Sequence, residues 1–272
     1  MNLKRVLAAG LAAVFLSAAP ALSAGCGNGA SGFPAWLAQF KAEAPRYGLK
    51  PSAVERALSG VSYNSKVIKL DRSQRSFKLS FEQFYRKRVN NAMINRGRQL
   101  QQRYAGIFRR IEKRYGVPAP VLLSIWGLET NYGGFSGNMS VLRSLATLAY
   151  DCRRSRFFTE ELVAAIQIVQ RGDMRPEEMR GAWAGEIGQT QFLASNYIKY
   201  AVDFDGNGRR DLIRSSPDAL ASTANYLKAH GWRRGQGWGP GTANYNVLKQ
   251  WNKATVYQKT IGVMASKIAE QG

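Results

Sequence analysis

The sequence predicts a mainly α-helical protein. Apolar residues recur at three- and four-residue spacing in one segment after another, and alternating strand patterns are scarce. Helix-breaking glycines close several of these segments at helix-like lengths, Gly48 and Gly172 among them. A chain of 272 residues is long enough for one large domain or two small ones with a sizeable core. There is no internal repeat and no low-complexity segment. The visible boundary candidates are the glycine-rich stretches near Gly27 and from Gly235 to Gly241.

The first residues carry Lys4 and Arg5, then an apolar run from Val6 to Leu16 and the small-residue stretch S-A-A-P-A-L-S-A-G. This reads as a secretory signal over residues 1–24, too short for a membrane span, and places the protein outside the cytoplasm. Phe33 to Tyr47 then shows helical spacing and breaks at Gly48. Ser52 to Leu58 repeats the pattern, with Ser52 three residues before Glu55 as a capping box. Val61 to Asp71 fits neither period. Ser80 to Arg109 is long, basic and periodic, with Phe81, Phe84, Tyr85, Val89, Met93 and Ile94 forming one core stripe. Its arginines and lysines read as a solvated face, with glycan or phosphate binding as the alternative. Further helices are predicted over Tyr104–Tyr115, Val141–Tyr150 and Ser155–Arg171.

The segment around which the rest is organised is P-A-P-V-L-L-S-I-W-G-L-E-T-N-Y-G-G, Pro118 to Gly134. Val121, Leu122, Ile125 and Leu128 define an apolar helix face, and Glu129 falls on that same face. A carboxylate there is either paired with one of the many arginines or desolvated, and desolvation raises its pKa. The break at Asn131–Gly134 puts Glu129 near its helix end, ringed by Trp126 and Tyr132. That is the environment a general acid needs near neutral pH.

Composition narrows the chemistry. The 39 basic and 18 acidic side chains give a formal charge of +21, which implies an anionic partner: nucleic acid, anionic membrane or acidic polymer. Export argues against nucleic acid. The two cysteines, Cys26 and Cys152, read as one disulfide tying the mature N-terminus to the core. The competing reading is lipidation of Cys26 in S-A-G-C, which would anchor the protein to a membrane. A single histidine, His230, excludes an ordinary zinc site and, with no G-x-S-x-G elbow, a Ser-His-Asp hydrolase. His230 reads as a helix-end residue.

Two later motifs bear on function. In G-A-W-A-G-E-I-G-Q-T-Q-F-L-A-S-N-Y-I-K-Y, Gly181 to Tyr200, small residues alternate with Gln189, Gln191 and Asn196. Backbone approaching a ligand and amides for its hydroxyls is one reading, a tight helix-packing turn the other. Glu186 is a second carboxylate candidate. In D-F-D-G-N-G-R-R-D-L-I-R-S-S-P-D, Asp203, Asp205 and Asn207 stand at calcium-loop positions one, three and five, and Gly208 at six. Arg209 offers a carbonyl at position seven. Arg214 replaces the usual Glu at twelve, so Asp218 is the candidate closing carboxylate.

W-G-L-E-T-N-Y-G, L-R-S-L-A-T-L-A-Y-D, G-A-W-A-G-E-I-G-Q-T-Q-F, Y-A-V-D-F-D-G-N-G-R-R-D-L and S-T-A-N-Y-L-K-A-H-G-W occur in that order. Together they resemble the lytic murein transglycosylase B family of exported peptidoglycan-cutting enzymes. The resemblance implies a lysozyme-like helical catalytic core with added helical subdomains and an EF-hand-like loop. On it, 25–104 is an N-terminal helical region packing on a core at 105–235, with the loop at 203–218. Residues 236–272 form a C-terminal helical segment completing the domain. The implied reaction is that of a carbon–oxygen lyase: cleavage of the β-1,4 bond between N-acetylmuramic acid and N-acetylglucosamine without water, leaving a 1,6-anhydro ring. Glu129 is then the single acid and base, with Gln191, Tyr226, Trp251 and Asn252 contacting glycan and Tyr132 and Gln189 expected beside them. Asp203, Asp205, Asn207, Arg209 and Asp218 would hold a structural calcium ion. No organic cofactor is implied. The expected location is periplasmic, and the expected form a monomer acting on glycan strands, with other cell-wall enzymes as further candidate partners. Two alternatives remain: a hydrolytic muramidase of the same fold using Glu186 or Asp151 as second carboxylate, and a non-catalytic peptidoglycan- or calcium-binding module.

Overall fold

The computed structural model describes residues 25–73 and 79–270; the expected signal segment lies outside them. Helix α1, Phe33–Glu43, buries Phe33, Trp36 and Phe40, and a 3-10 turn over Ala44–Tyr47 ends at left-handed Gly48. Helix α2, Pro51–Leu58, starts at Pro51 itself, where a missing N–H costs nothing. Ser52 is therefore inside the helix and forms no capping box, and Glu55 pairs with Lys41 at 2.9 Å instead. The ambiguous stretch becomes α3, Ser65–Arg72, because the Asn64 side chain accepts from the Lys66 and Val67 N–H groups and starts the helix.

The periodic stretch from Ser80 onward divides into α4, Phe81–Arg88, and α5, Asn91–Arg103, and the helix expected over Tyr104–Tyr115 is α6, Ala105–Tyr115. Val89 and Asn90 are extended, and the Asn90 side chain caps α5 by accepting from Met93 N–H at 2.9 Å. Phe84, Val89 and Ile94 remain buried across that turn. The hydrophobic rhythm thus survives a change of direction, and a capping Asn looks in sequence like a surface one.

Helix α7, Ala119–Thr130, is the central element, with all but one of its residues buried. Leu122, Leu123, Ile125 and Leu128 each contribute about 1.5–3 kcal/mol by burial. The chain leaves it through left-handed Asn131 and Tyr132, at φ 51° and 61°. A two-stranded antiparallel ribbon follows, with β1, Met139–Ser140, paired to β2, Arg180–Gly181. Between the strands lie α8, Val141–Tyr150, and α9, Ser155–Arg171, which pack on each other and receive α1, α2 and α3. After β2 come α10, Ala194–Tyr200; α11, Ser216–Ala229, ending at His230 as expected; α12, Ala243–Trp251; and α13, Thr255–Ala269. Helix α13 lies directly against α7. Gly127 permits this contact, because a Cβ there would stand 2.9 Å from Met264 Cε.

Cys26 and Cys152 form the disulfide, with Cα atoms 4.9 Å apart, so the Cys26 sulfur is not available for lipidation. Beside it, buried Asp71 pairs with Arg72, Arg153 and Arg154, and Arg72 also reaches Asp151 at 2.7 Å. That cluster fastens α3 to the segment after α8. No helix of the described residues is long and apolar enough to cross a membrane.

Candidate active site

Glu129 stands at the penultimate position of α7, where the central helix delivers it to a groove. Its Oε1 accepts two hydrogen bonds: from Tyr257 Oη at 2.7 Å and from Trp251 Nε1 at 3.0 Å. Burial of the carboxyl raises its pKa above the ordinary carboxylate range and outweighs the opposing pull of Tyr257, Trp251 and Arg88; Glu186 adds to the rise. An indole N–H can only donate, and burial beside Glu129 pushes the Tyr257 hydroxyl pKa well up, keeping it a neutral donor. With Oε1 filled by two donors, the proton of the neutral acid sits on Oε2, which accepts from none of the described residues.

The groove has two arms that meet at Glu129. One is a cavity of ≈ 550 Å³ bounded by Phe157, Glu186, Asn196, Tyr226, Trp251 and Asn252. The other, of ≈ 360 Å³, runs past Lys66, Leu70, Phe135 and Met139. Glu129, Ala182, Trp183 and Gln191 line both. The ribbon orders the junction, since Ala182 and Trp183 follow directly from β2. A groove lined by aromatic rings and amides, with a carboxyl of raised pKa at its midpoint, suits a polyhydroxylated chain that must receive a proton.

The structure brings together four of the expected substrate residues and turns two away. Gln191 lies at the junction in a left-handed conformation, φ 53°. Its Nε2 donates to Ser136 O at 3.0 Å and Gly188 O at 2.9 Å, leaving Oε1 to accept in the groove. Tyr226 and Trp251 stack edge to face at 5.3 Å, and Asn252 follows them along the wall. Tyr132, although no more buried than Tyr226, lines neither arm, and its hydroxyl donates to Met93 O at 2.8 Å. Gln189 is buried too: its Nε2 donates to Ile213 O, and its Oε1 accepts from Ser216 Oγ at 3.0 Å. Thr130 Oγ1 donates to Gln189 O at 2.6 Å, so both residues shape the end of α7 rather than the groove. Of the carboxylate candidates, Glu186 lines the larger arm, and its Oε2 is buried without a partner. Burial raises its pKa as well. Asp151 is held in the arginine cluster beside the disulfide and lines neither arm.

Sequence reading missed Tyr257 and Trp183. Tyr257 lies 128 residues from Glu129 in a helix whose pattern reports only a core face. Trp183 sits inside a motif that already suggested a ligand, and that motif was its signal.

Carboxylate oxygens of Asp203, Asp205 and Asp218 lie within 4.8 Å of one another. The loop wraps around them: Gly206 and Gly208 N–H donate to Asp203 at 2.8 Å, and Phe204 and Asp211 N–H donate to Asp218 at 2.8 and 2.9 Å. Arg214, at the twelfth position, pairs with Glu178 at 2.8 Å and plays no part in the cluster. Asn207 Oδ1 accepts from Arg209 N–H, and the Arg209 side chain also reaches Glu178. Three convergent carboxylates with no ion-paired cation among the described residues are an all-oxygen donor set of the kind hard divalent ions take.

A family model described as "Transglycosylase SLT domain" matches residues 32–243. Membrane-bound lytic murein transglycosylase B of Escherichia coli K12 is 36% identical over 153 residues, which is 56% of this chain and 42% of that protein. The chain thus spans less than half the length of that relative. SltB3 from Pseudomonas aeruginosa, solved in complex with NAG-anhNAM-pentapeptide, is 32% identical with a TM-score of 0.82, over 88% of this chain and 80% of that one. Soluble lytic transglycosylase SltB1 from the same organism shares the fold, with a TM-score of 0.80, 24% identity, and coverage of 86% and 98%.

Proposed function

The chain belongs to the transglycosylase SLT domain family, and from that premise we propose that it is a peptidoglycan lytic transglycosylase with Glu129 as its only acid and base. The observation that carries this reading is the buried carboxyl with two donors on Oε1 and a free Oε2 at the meeting of the groove's arms. A glycan strand lies along both arms with the scissile bond at Glu129. The Oε2 proton passes to the leaving glycosidic oxygen, and Tyr257 and Trp251 stabilise the carboxylate that forms. The substrate's own N-acetyl oxygen supports the positive charge at the anomeric carbon. The carboxylate then takes the proton from the same sugar's 6-hydroxyl, whose oxygen bonds to that carbon and closes the anhydro ring. No water is consumed. Attack within one ring has a high effective molarity once the sugar is held in place. Trp183, Tyr226 and Trp251 supply the walls that hold it and keep water out.

Asp203, Asp205 and Asp218 would hold calcium, with Asn207 and Arg209 as further oxygen donors. The ion would neutralise the clustered carboxylates and fix the loop that also anchors Gln189 through Leu212 and Ile213. Its role is structural. Export to the periplasm fits an enzyme of this substrate and a disulfide-bonded chain.

Glu186 keeps one other reading alive, since a hydrolytic muramidase needs a second carboxylate in the same groove. Mass spectrometry of fragments released from purified sacculi separates the two. Fragments lighter than hydrolysed muropeptides by one water, about 18 Da, support the transglycosylase. Reducing ends would assign the second role to Glu186. No release from folded, calcium-supplied protein would leave a binding module.

A further inference from the structure

The catalytic groove uses few of the chain's cations. A separate group of them sits on the far end of α6. Arg109, Arg110, Lys113 and Arg114 are all exposed there and spaced so that Arg109 and Lys113, and Arg110 and Arg114, share faces. Two cations from later in the chain are fastened to the same helix end. Lys228 Nζ donates to Arg114 O at 3.1 Å, and Arg234 Nη2 donates to Glu112 O at 2.9 Å. None of the six takes part in an ion pair among the described residues, whereas Arg72, Arg153, Arg175 and Arg210 elsewhere all do. Glu112 is the only acid on α6.

Four of the six side chains, those of Arg110, Arg114, Lys228 and Arg234, are partly ordered before any partner arrives. The Arg110 guanidinium lies 4.7 Å from the Phe204 ring centroid, Arg114 lies 5.4 Å from Tyr115, and Lys228 lies 5.9 Å from that same ring. Stacked and backbone-tethered cations lose less conformational freedom on binding than free surface ones. Uncompensated like charges on one helix repel each other, and that repulsion is relieved by a polyanion.

We propose that the α6 face is a second binding surface that docks the protein on the carboxylate-bearing peptidoglycan network, apart from the groove. None of the six residues lines either arm. The occupant is chosen by charge complementarity and by what the face lacks. The exposed large apolar side chains among the described residues are Tyr47, Leu79, Phe135 and Phe157, none on α6, so nothing there would enter a lipid layer. An insoluble polyanion held at a second point raises the effective concentration of its strands at the groove. Identifying that polyanion as peptidoglycan rests on the proposed function; the face itself does not.

The test compares the full protein with a triple variant of the face, Arg109→Gln, Lys113→Gln and Arg114→Gln. A charge-matched control carries Arg46→Gln, Lys50→Gln and Arg56→Gln, exposed residues in and beside α2. Cosedimentation with purified sacculi is measured across a salt series, alongside turnover of short soluble glycan fragments and binding to vesicles containing phosphatidylglycerol. The face variant should bind sacculi about tenfold more weakly at low salt, with a shallower salt dependence, while turning over soluble fragments as before. The control should bind like the parent. Equal loss in both variants would mean net charge alone acts and would overturn the proposal. So would loss of vesicle binding with sacculus binding intact. Absence of turnover in the parent would count against the proposed function, while sacculus binding would still decide the role of the face.

Discussion

Tyr257→Phe removes one hydroxyl from the α13 core and one of the two donors on Glu129 Oε1. The ring stays, and so does its packing against Phe84 at 6.0 Å. A hydrogen bond to a charged group contributes about 1.5–3 kcal/mol, and one pKa unit corresponds to about 1.4 kcal/mol. The neutral acid also accepts this bond at Oε1, so only part of that energy separates the two protonation states. The Glu129 pKa, already raised by burial, should rise by about one further unit. The proposed first step needs the protonated acid, so on that mechanism activity falls as pH climbs through this pKa. The alkaline limb of kcat/KM should therefore move up by about one unit. The carboxylate formed on proton transfer also loses a donor, so kcat at the optimum should drop about tenfold. The assay is a pH series of anhydro-product release by the purified variant, with circular dichroism confirming the fold. An unmoved limb, or one displaced to lower pH, would refute the argument that Tyr257 stabilises the ionised form.

Glu129→Gln should abolish lysis while keeping the amide within reach of Tyr257 and Trp251. A carboxyl with a folded pKa above its unfolded value destabilises the protein only at pH above the unfolded value. That cost is absent below the unfolded pKa and grows as pH rises to the folded one. The variant's Tm should accordingly match the parent in acid and exceed it at neutral pH. Calcium should raise the parent's Tm, by about 2.7 kcal/mol of stability at a hundredfold excess over Kd, and Asp218→Asn should remove most of that rise in a thermal scan. Replacing Cys26 and Cys152 by serine opens a tie across 126 residues and should cost about 4–5 kcal/mol on the chain-entropy model, read from urea midpoints.

Helical class, the position of Glu129 at a helix end and the acidic loop were legible because each is a local pattern. Periodicity over a few turns marks α7, and Asn131–Gly134 mark its end, so the acid's place on an apolar face needs no distant contact. The same locality explains what was misread. The extended pair Val89–Asn90 interrupts the helix while keeping the hydrophobic rhythm, so α4 and α5 resemble one periodic stretch. Tyr132 and Gln189 stand within motifs that help line the groove, yet their own side chains turn inward to Met93 O and Ile213 O. Nothing in residue type decides that direction, because backbone conformation sets it, as at left-handed Tyr132.

What the sequence determined by itself, then, is the helical plan, the cysteine pair and one acid among many. How that acid is held depends instead on contacts between distant segments. Trp251 and Tyr257 reach Oε1 from helices more than a hundred residues away, and α13 comes close enough because Gly127 has no side chain. That both donors reach Oε1 and none of the described residues reaches Oε2 is a property of that long-range packing.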